Sequence, residues 1–342
     1  MEALLGKNPP ELEALVREKG LPAFAGRQIA RWLYVRRVSS LEEMTDISKA
    51  GREALAASYT IGTLTPTRTV TASDGTEKYL FDVEECRDGK LGGIEAVMIP
   101  DGERNTLCVS SQAGCKMGCH FCMTGRQGFH GNLSPAEILA QILYADRLHP
   151  LSNVVFMGMG EPLDNWEAVH RVIDVLTSPW GFAWSPKRIT LSTIGVLPRL
   201  REFLEGCKCH LAVSLHNPFP EERLEMMPVE KAWPAAEVIR LLRQYDFTGQ
   251  RRVSFEYTMF AGVNDTPRHA DALVRLLRGL ECRVNLIRFH QIPDFPHTTS
   301  SDAAMTAFRD RLSAAGLTCT IRASRGEDIL AACGMLSGSK PC

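Results

Sequence analysis

Apolar residues in the first sixty positions recur at the three- and four-residue spacing that is typical of amphipathic helices. One such stripe begins after Pro10 and ends at Gly20, which fits the preference for proline near helix starts and glycine after helix ends. The same spacing predicts further helices over 27–35 and 49–57. Residues 1–65 are therefore predicted to form a small helical accessory domain.

A threonine-rich stretch over 63–76 contains proline and glycine and predicts a linker. Residues 78–83 and 94–99 then alternate as paired strands do, so 66–104 is predicted to be a linker and a β-hairpin. From residue 105 the pattern changes to short apolar runs that alternate with helical stripes. The strands are predicted at 106–111, 153–157, 188–192, 210–215, 253–259, 283–289 and 318–322, and the helices at 134–148, 164–177, 196–205, 233–245, 267–279 and 301–315.

This alternation predicts an α/β protein whose parallel sheet is built from strand–helix units. Eight units would close a full barrel, whereas six predict an open, partial (β/α)6 barrel over 105–325. Residues 326–342 then form a C-terminal segment. Ser134, Pro135 and Glu137 give the first barrel helix a clear start, since they match an N-cap, a first-turn proline and a capping box.

Composition narrows the class of protein only slightly. The 342 residues are 44% hydrophobic and 23% charged with a net charge of −1, so no overall basic field points to nucleic acid. We expect no membrane segment, because no apolar run approaches the roughly 18 residues of a spanning helix. The start of the chain lacks a signal-peptide pattern. Eleven cysteines then indicate metal or redox chemistry in a reducing cytoplasm.

Three of those cysteines, Cys115, Cys119 and Cys122, lie within eight residues. Three thiolates can hold three corners of a [4Fe–4S] cube and leave the fourth iron open to a substrate or cofactor. Structural zinc is the main alternative, although zinc usually takes two Cys-x-x-Cys pairs and only one is present here. A chance spacing is the remaining interpretation.

Polar residues fall repeatedly where the predicted strands end, which is where parallel α/β proteins place their sites. The two glycines of the 158–162 turn would let the backbone approach a ligand, and Glu161 could accept hydrogen bonds from a ligand ammonium. The others are Ser192, the 214–216 segment and His290. Each alone is as well explained by an ordinary turn, a helix-start hydroxyl or a hydrogen-bonded histidine.

Three further residues have ordinary interpretations when taken alone. Cys333 lies in an apolar run and Cys108 in a predicted strand, so each is interpreted as a small buried hydrophobic residue. Glu95 alternates within a strand and reads as a solvent-facing carboxylate. The remaining cysteines show no ligand spacing and are predicted to be structural: Cys86, Cys207, Cys209, Cys282, Cys319 and Cys342.

Taken together, the motifs resemble the radical S-adenosylmethionine (SAM) superfamily and, more closely, the RlmN/Cfr family of RNA adenine methyltransferases. The matching segments are 106–115, Gly-Met-Gly-Glu-Pro at 158–162, Thr-Leu-Ser-Thr at 190–193, Ser-Leu-His at 214–216, Val-Asn-Leu-Ile at 284–287 and 325–334, with 21–33 in the accessory domain. This resemblance covers nearly the whole chain.

The resemblance implies a role for each candidate. Cys115, Cys119 and Cys122 would ligate a [4Fe–4S] cluster, and SAM would bind its open iron. The SAM-contacting positions would be Gly160, Glu161, Ser192, Ser214, Leu215 and His216, with His290 near the adenine where many relatives carry asparagine. Cys333 would become S-methylated, Cys108 would be the second catalytic cysteine, and Glu95 would act as a base.

The family's reaction uses two SAM molecules. One methylates Cys333, and a radical made from the other activates that methyl group for addition to the adenine. Glu95 would remove the ring proton, and Cys108 would release the RNA by attacking the Cys333 sulfur. Because that last step is thiol–disulfide exchange, we expect Cys108 to be reachable and prone to ionise.

Three functions remain open at this point. The accessory-domain likeness favours methylation of adenine carbon 2 in 23S ribosomal RNA, with a transfer RNA adenine beside the anticodon as a further substrate. Methylation at carbon 8 is the alternative within the family. A non-catalytic RNA-binding protein that carries a metal cluster is the alternative from another class. An enzyme would also need an electron donor and a thiol reductant, and we expect a cytoplasmic monomer.

Overall fold

The computed structural model describes residues 1–83, 92–249 and 251–338. Its strands are β1 (Glu2–Ala3), β2 (Tyr59–Thr60), β3 (Arg68–Thr71), β4 (Glu77–Val83), β5 (Gly92–Asp101), β6 (Arg104–Cys108), β7 (Gln112–Gly114), β8 (Phe129–Asn132), β9 (Asn153–Phe156), β10 (Ile189–Thr193), β11 (His210–Ser214), β12 (Val253–Met259), β13 (Arg283–Arg288) and β14 (Thr318–Ile321). Its α-helices are α1 (Pro9–Glu18), α2 (Phe24–Ala30), α3 (Lys49–Ala56), α4 (Met123–Arg126), α5 (Pro135–Leu148), α6 (Trp166–Thr177), α7 (Leu197–Gly206), α8 (Pro220–Met226), α9 (Ala235–Leu242), α10 (Pro267–Leu277) and α11 (Asp302–Ala314).

Seven parallel strands form the barrel sheet, in the order β6, β9, β10, β11, β12, β13 and β14. Sequence-adjacent strands are therefore also neighbours in space, as repeated strand–helix units require. Among the described residues, β14 is the edge strand of a ten-stranded sheet, and β6 is followed in that sheet by β5 and not by β14, so the barrel is open. The predicted partial (β/α)6 barrel is confirmed, with a seventh strand closing the series.

The sheet also extends beyond β6 in antiparallel fashion through β5, β4 and β3. One sequence-based expectation needs correction here, because the stretch predicted as a linker contains β3. The hairpin predicted from 78–83 and 94–99 is confirmed as β4 and β5, which pair antiparallel and also belong to the main sheet. The boundary proposed at 104/105 lies inside β6. Alternation alone could not reveal this, because it shows which face is buried and not which strand pairs with which.

The N-terminal 60 residues form the predicted helices. Asn8 caps α1 in a capping box with Glu11. The second helix differs from its prediction: α2 ends at Ala30 and continues as a π-helical segment, Arg31–Arg36, that stops at Arg37 in a left-handed conformation. β1 and β2 pair in parallel and bring the two ends of this region together.

Helix α5 covers the edge of the barrel beside β6. Ser134 caps it with Glu137 in the predicted capping box. Nine of its residues are buried, and Gln141 bonds the backbone of Ser110, which ties the helix to the loop after β6. In the part of the chain that is described, no helix is long and apolar enough to cross a membrane.

Candidate active site

A cavity lies at the carboxyl ends of the parallel strands. It gathers eight of the residues that the sequence singled out: Cys115, Cys119, Cys122, Gly160, Glu161, Ser192, Ser214 and His216. These residues come from the cysteine loop and from three successive strand ends, those of β9, β10 and β11, so they are far apart in sequence. Their convergence is what a parallel sheet produces when each strand delivers its following loop to one rim.

The loop that carries the three cysteines is fixed by a short hairpin that the sequence did not reveal. β7 and β8 pair next to it, and the Cys115 amide donates to the Gly128 carbonyl at 2.8 Å. Gly114 has φ +72°, and a Cβ there would lie 2.0 Å from that same carbonyl oxygen. Only glycine fits this close approach, so the start of the loop is sterically fixed.

The three cysteines are half-buried, and their thiols lie near one another. Burial raises the pKa of Cys115 to about 12 and raises that of Cys119 well above its usual range, with the neighbouring cysteines adding to both. Burial also raises the pKa of Cys122, although its sulfur accepts hydrogen bonds from the Thr124 and Gly125 amides. Three buried thiolates would therefore repel one another unless a positively charged group lay between them.

An iron–sulfur cluster fits this donor set, because its irons supply the missing positive charge and prefer thiolate ligands. No three His, Cys, Asp or Glu side chains within residues 1–83, 92–249 and 251–338 converge on one point as ligands of a single ion would. Ligands of a cube bind different irons and need no such convergence.

The glycine-rich turn after β9 depends on Gln112. Gly160 has φ +98°, and a Cβ there would lie 2.5 Å from the Cβ of Gln112. The Gln112 amide nitrogen donates to Asp164 at 2.7 Å and to Asn132 at 2.8 Å, and its oxygen accepts from the Glu161 backbone amide at 2.9 Å. The turn is thus held in one conformation, which directs Glu161 into the cavity.

Glu161 is 3% exposed and its carboxylate is held by the protein. It accepts from the amides of Leu163 at 3.0 Å and Ile194 at 2.9 Å, and from the Thr193 hydroxyl. Burial nevertheless raises its pKa to about 7. A buried carboxylate in this position is well suited to a cationic ligand, because an ammonium would offset the cost of burying its charge.

His216 and its neighbours end β11 at the opposite wall. The His216 backbone has φ 58°, and its Nδ1 accepts from the Thr258 amide at 2.9 Å. Burial lowers the pKa of His216 to about 3, so the ring is neutral. Leu215 differs from the expectation of a lining side chain: it is buried and not among the residues around the cavity, while its carbonyl accepts from Arg223 at 2.9 Å.

A second cavity adjoins the first. It contains Cys108 and His290, and it shares Cys122, Arg322 and Cys333 with the first cavity. Cys333 therefore lies between the cysteine loop and Cys108; it is itself exposed, whereas Ala331 and Ala332 before it are buried. His290 lines only the second cavity, where it contacts Ser324 Oγ at 3.2 Å. The proposed contact of His290 with SAM stays a prediction.

Cys108 does not match the expectation of an ionisation-prone thiol. It is buried, and burial raises its pKa to about 12, with the neighbouring Cys333 thiol adding to the effect. Arg322 acts in the opposite direction on both thiols but does not overcome burial. In this arrangement Cys108 is protonated near neutral pH, so ionisation requires a change in its surroundings.

Glu95 corrects another expectation, because it does not face solvent. It is 3% exposed, and its carboxylate pairs with Lys78 at 3.0 Å. It also accepts from the backbone amides of Ser337 at 2.7 Å and Gly338 at 3.1 Å. The C-terminal segment covers this face of β5, which strand alternation could not predict because the covering residues are some 240 positions away.

The sequence reasoning missed two charged residues, Glu256 and Arg322. Both line the first cavity and form an ion pair at 3.5 Å. Ser254 and Asn285 hold the other oxygen of Glu256, each at 2.8 Å. The sequence signal that could have identified Glu256 is a carboxylate in the middle of the apolar strand β12. Cys207, Cys209, Cys282 and Cys319 line neither cavity, and Cys86 and Cys342 lie outside the described residues.

Comparisons with known proteins agree with this site. Residues 109–274 match the family model of the radical SAM superfamily, and residues 3–61 match the N-terminal domain of ribosomal RNA large subunit methyltransferases. A radical SAM methyltransferase structure from Sphaerobacter thermophilus superposes with a TM-score of 0.92 at 39% identity, covering 99% of this chain and 100% of that one. The fold and the site therefore define a radical SAM methyltransferase.

The particular family follows from full-length relatives. A probable dual-specificity RNA methyltransferase RlmN of Porphyromonas gingivalis is 57% identical over 337 residues, covering 98% of this chain and 97% of that protein. The dual-specificity RNA methyltransferase RlmN of Syntrophus aciditrophicus is 41% identical, covering 96% and 94%. The chain belongs to the RlmN family, whose cofactors are a [4Fe–4S] cluster and SAM and whose substrate is RNA.

Proposed function

We propose that this protein methylates carbon 2 of one adenine in 23S ribosomal RNA, and that a transfer RNA adenine beside the anticodon is its second substrate. The observation that carries the proposal is the position of Cys333 between two cavities, one with the cysteine loop and Glu161 and the other with Cys108. A thiol that receives a methyl group and later passes it on must reach both places.

The cavity residues divide into two groups by task. Cys115, Cys119 and Cys122 would hold the cluster, and Glu161 would accept from the SAM ammonium. Gly160, Ser192, Ser214 and His216 would line the rest of the SAM site. When bound, the cluster and SAM together supply a methyl donor and a source of a carbon-centred radical. This chemistry is needed because carbon 2 of adenine is not nucleophilic.

The second cavity would serve the later steps. Cys108 would attack the Cys333 sulfur, which breaks the bond to the methylated RNA and leaves a disulfide between the two cysteines. Glu95 would accept the proton that leaves the adenine ring. Both cysteine thiols must then be restored, so we infer an external thiol reductant as well as an electron donor. Reduced thiols and ribosomal RNA are both found in the cytoplasm, where we place the protein as a monomer.

Carbon 2 is preferred over carbon 8 for one reason. Residues 3–61 match the N-terminal domain model named for large-subunit methyltransferases, and the full-length relatives carry the RlmN name. The residues of the cavities themselves would serve either carbon. The non-catalytic alternative gives no task to the buried Glu161 or to the presence of Cys108 and Cys333 in one cavity.

Nucleoside analysis tests the proposal directly. The protein is reconstituted without oxygen, incubated with SAM, a reductant and a 23S ribosomal RNA fragment, and the RNA is digested for mass spectrometry. With the unchanged protein we expect 2-methyladenosine and 5′-deoxyadenosine. With Cys333→Ala we expect no methylated RNA. Formation of 8-methyladenosine would overturn the choice of carbon, and product from Cys333→Ala would overturn the relay.

A further inference from the structure

The segment that carries Cys333 is fastened to the rest of the protein on both sides of that cysteine. Before it, the Leu330 carbonyl accepts from the Lys78 ammonium at 3.2 Å. After it, the amides of Ser337 and Gly338 donate to one oxygen of Glu95, at 2.7 Å and 3.1 Å. Lys78 and Glu95 thus fix the two ends of a loop that has Cys333 near its middle.

Lys78 and Glu95 also bind each other. Their ion pair measures 3.0 Å, and the two side chains are only 14% and 4% exposed. They stand on the neighbouring strands β4 and β5, whose pairing places Leu80 opposite Glu95 and Lys78 opposite Val97. A buried ion pair depends on both partners, because removing one leaves an uncompensated charge. Loss of Lys78 should therefore disturb both fastenings at once.

Close packing keeps the segment against its neighbours. A Cβ on Gly93 would lie 1.8 Å from the Gly338 carbonyl oxygen, so the two chains are in backbone contact. On the other side, the Met123 amide donates to the Gly334 carbonyl at 2.8 Å, next to the last cysteine of the cysteine loop. The segment thus bridges the extended sheet edge and the cysteine loop, with Cys333 between them.

We propose that Lys78 is a positioning residue that, together with Glu95, latches residues 330–338 over the two cavities. The oxygens of Glu95 are occupied by three donors, so its carboxylate becomes available to take a proton only after Ser337 and Gly338 leave it. The latch itself rests on contacts within the chain. Its consequence for proton transfer rests on the proposed function.

Hydrogen–deuterium exchange tests the latch without any assay of activity. In the reconstituted protein, Lys78→Met should speed exchange in peptides covering 333–338 at least roughly tenfold, because the amides lose a well-held charged acceptor. Lys78→Arg should restore protection, since it returns a cation to Glu95. Lys208→Met, at an exposed lysine outside both cavities, is the matched control, and helix α5 reports the global fold.

The outcomes separate clearly. Equal exchange at 333–338 in Lys78→Met and Lys208→Met would overturn the latch. Should Lys78→Met also expose α5, Glu95→Ala replaces it. That variant removes the acceptor of the Ser337 and Gly338 amides, so exchange must rise at 333–338 and not in α5, and an unchanged rate there overturns the proposal. S-methylation of Cys333 by SAM should fall about tenfold in Lys78→Met with unchanged iron content, and an unchanged rate would refute a positioning role for Lys78. If exchange rises as expected but the wild type methylates no RNA, the latch stands and the proposed function fails.

Discussion

Gly160→Ala should damage both the stability of the protein and its affinity for SAM. The new Cβ would lie 2.5 Å and 2.7 Å from the Cβ and Cγ of Gln112 and 2.9 Å from its backbone nitrogen. Gln112 has little freedom to move away, because Asp164 and Asn132 hold its amide. Any shift of Gln112 also takes the acceptor from the Glu161 amide.

The expected cost has two parts. An L residue at φ +98° costs about 1–2 kcal/mol in backbone strain. Overpacking against Gln112 adds about 1–3 kcal/mol. Gly316→Ala isolates the first part, since Gly316 has φ +83° and nothing within 4 Å of the added Cβ. The difference between the two variants therefore measures the contact with Gln112.

Thermal unfolding and calorimetric titration with SAM would measure these effects. We expect Gly160→Ala to lose about 1–3 kcal/mol more stability than Gly316→Ala. SAM affinity should fall roughly tenfold or more in Gly160→Ala alone, because Glu161 loses its position for a charge-assisted hydrogen bond. Equal stability losses together with unchanged SAM affinity would refute the steric reasoning.

Three further results are expected. Cys108→Ala should leave RNA covalently attached to Cys333, seen as a slow band on denaturing gels; release at the normal rate would contradict the role of Cys108. Burial lowers the pKa of His216 to about 3, whereas a histidine in the unfolded chain has a pKa near 6.5. Below about pH 6.5 the unfolded chain therefore binds a proton that the folded protein does not, which favours unfolding. Stability should fall by about 2 kcal/mol between pH 8 and pH 5 and less in His216→Asn; equal slopes would contradict this. Arg223→Met should cost about 3–5 kcal/mol in urea unfolding, since it leaves Glu230 buried and unpaired, and Glu230→Met added to it should recover part of that loss; no recovery would argue against the pair.

Much of the architecture could be predicted because it depends on local patterns. Alternating strand and helix stripes gave the barrel, and the start of α5 was visible in three residues, Ser134, Pro135 and Glu137. The rim residues could be predicted to converge because parallel strands end on one side. The hairpin of β7 and β8 could not, since its strands are only three and four residues long.

What the sequence could not reveal were contacts between distant segments. Glu95 was expected to face solvent, yet Ser337 and Gly338 cover it. Cys108 was expected to ionise readily, yet burial raises its pKa to about 12. The ion pair of Glu256 with Arg322 joins β12 to the residue that follows β14, with 65 residues between the partners. Local periodicity carries no information about which distant residue covers or pairs with a given side chain.

One isotope experiment tests the central claim most directly. The RNA product is made with SAM whose transferable methyl group is fully deuterated, and the deuterium in the new methyl group is counted by mass spectrometry. If the methyl group passes through Cys333 and loses a hydrogen atom there, the product retains two of its three deuterium atoms. Retention of all three would mean direct transfer of an intact methyl group and would contradict the relay through Cys333.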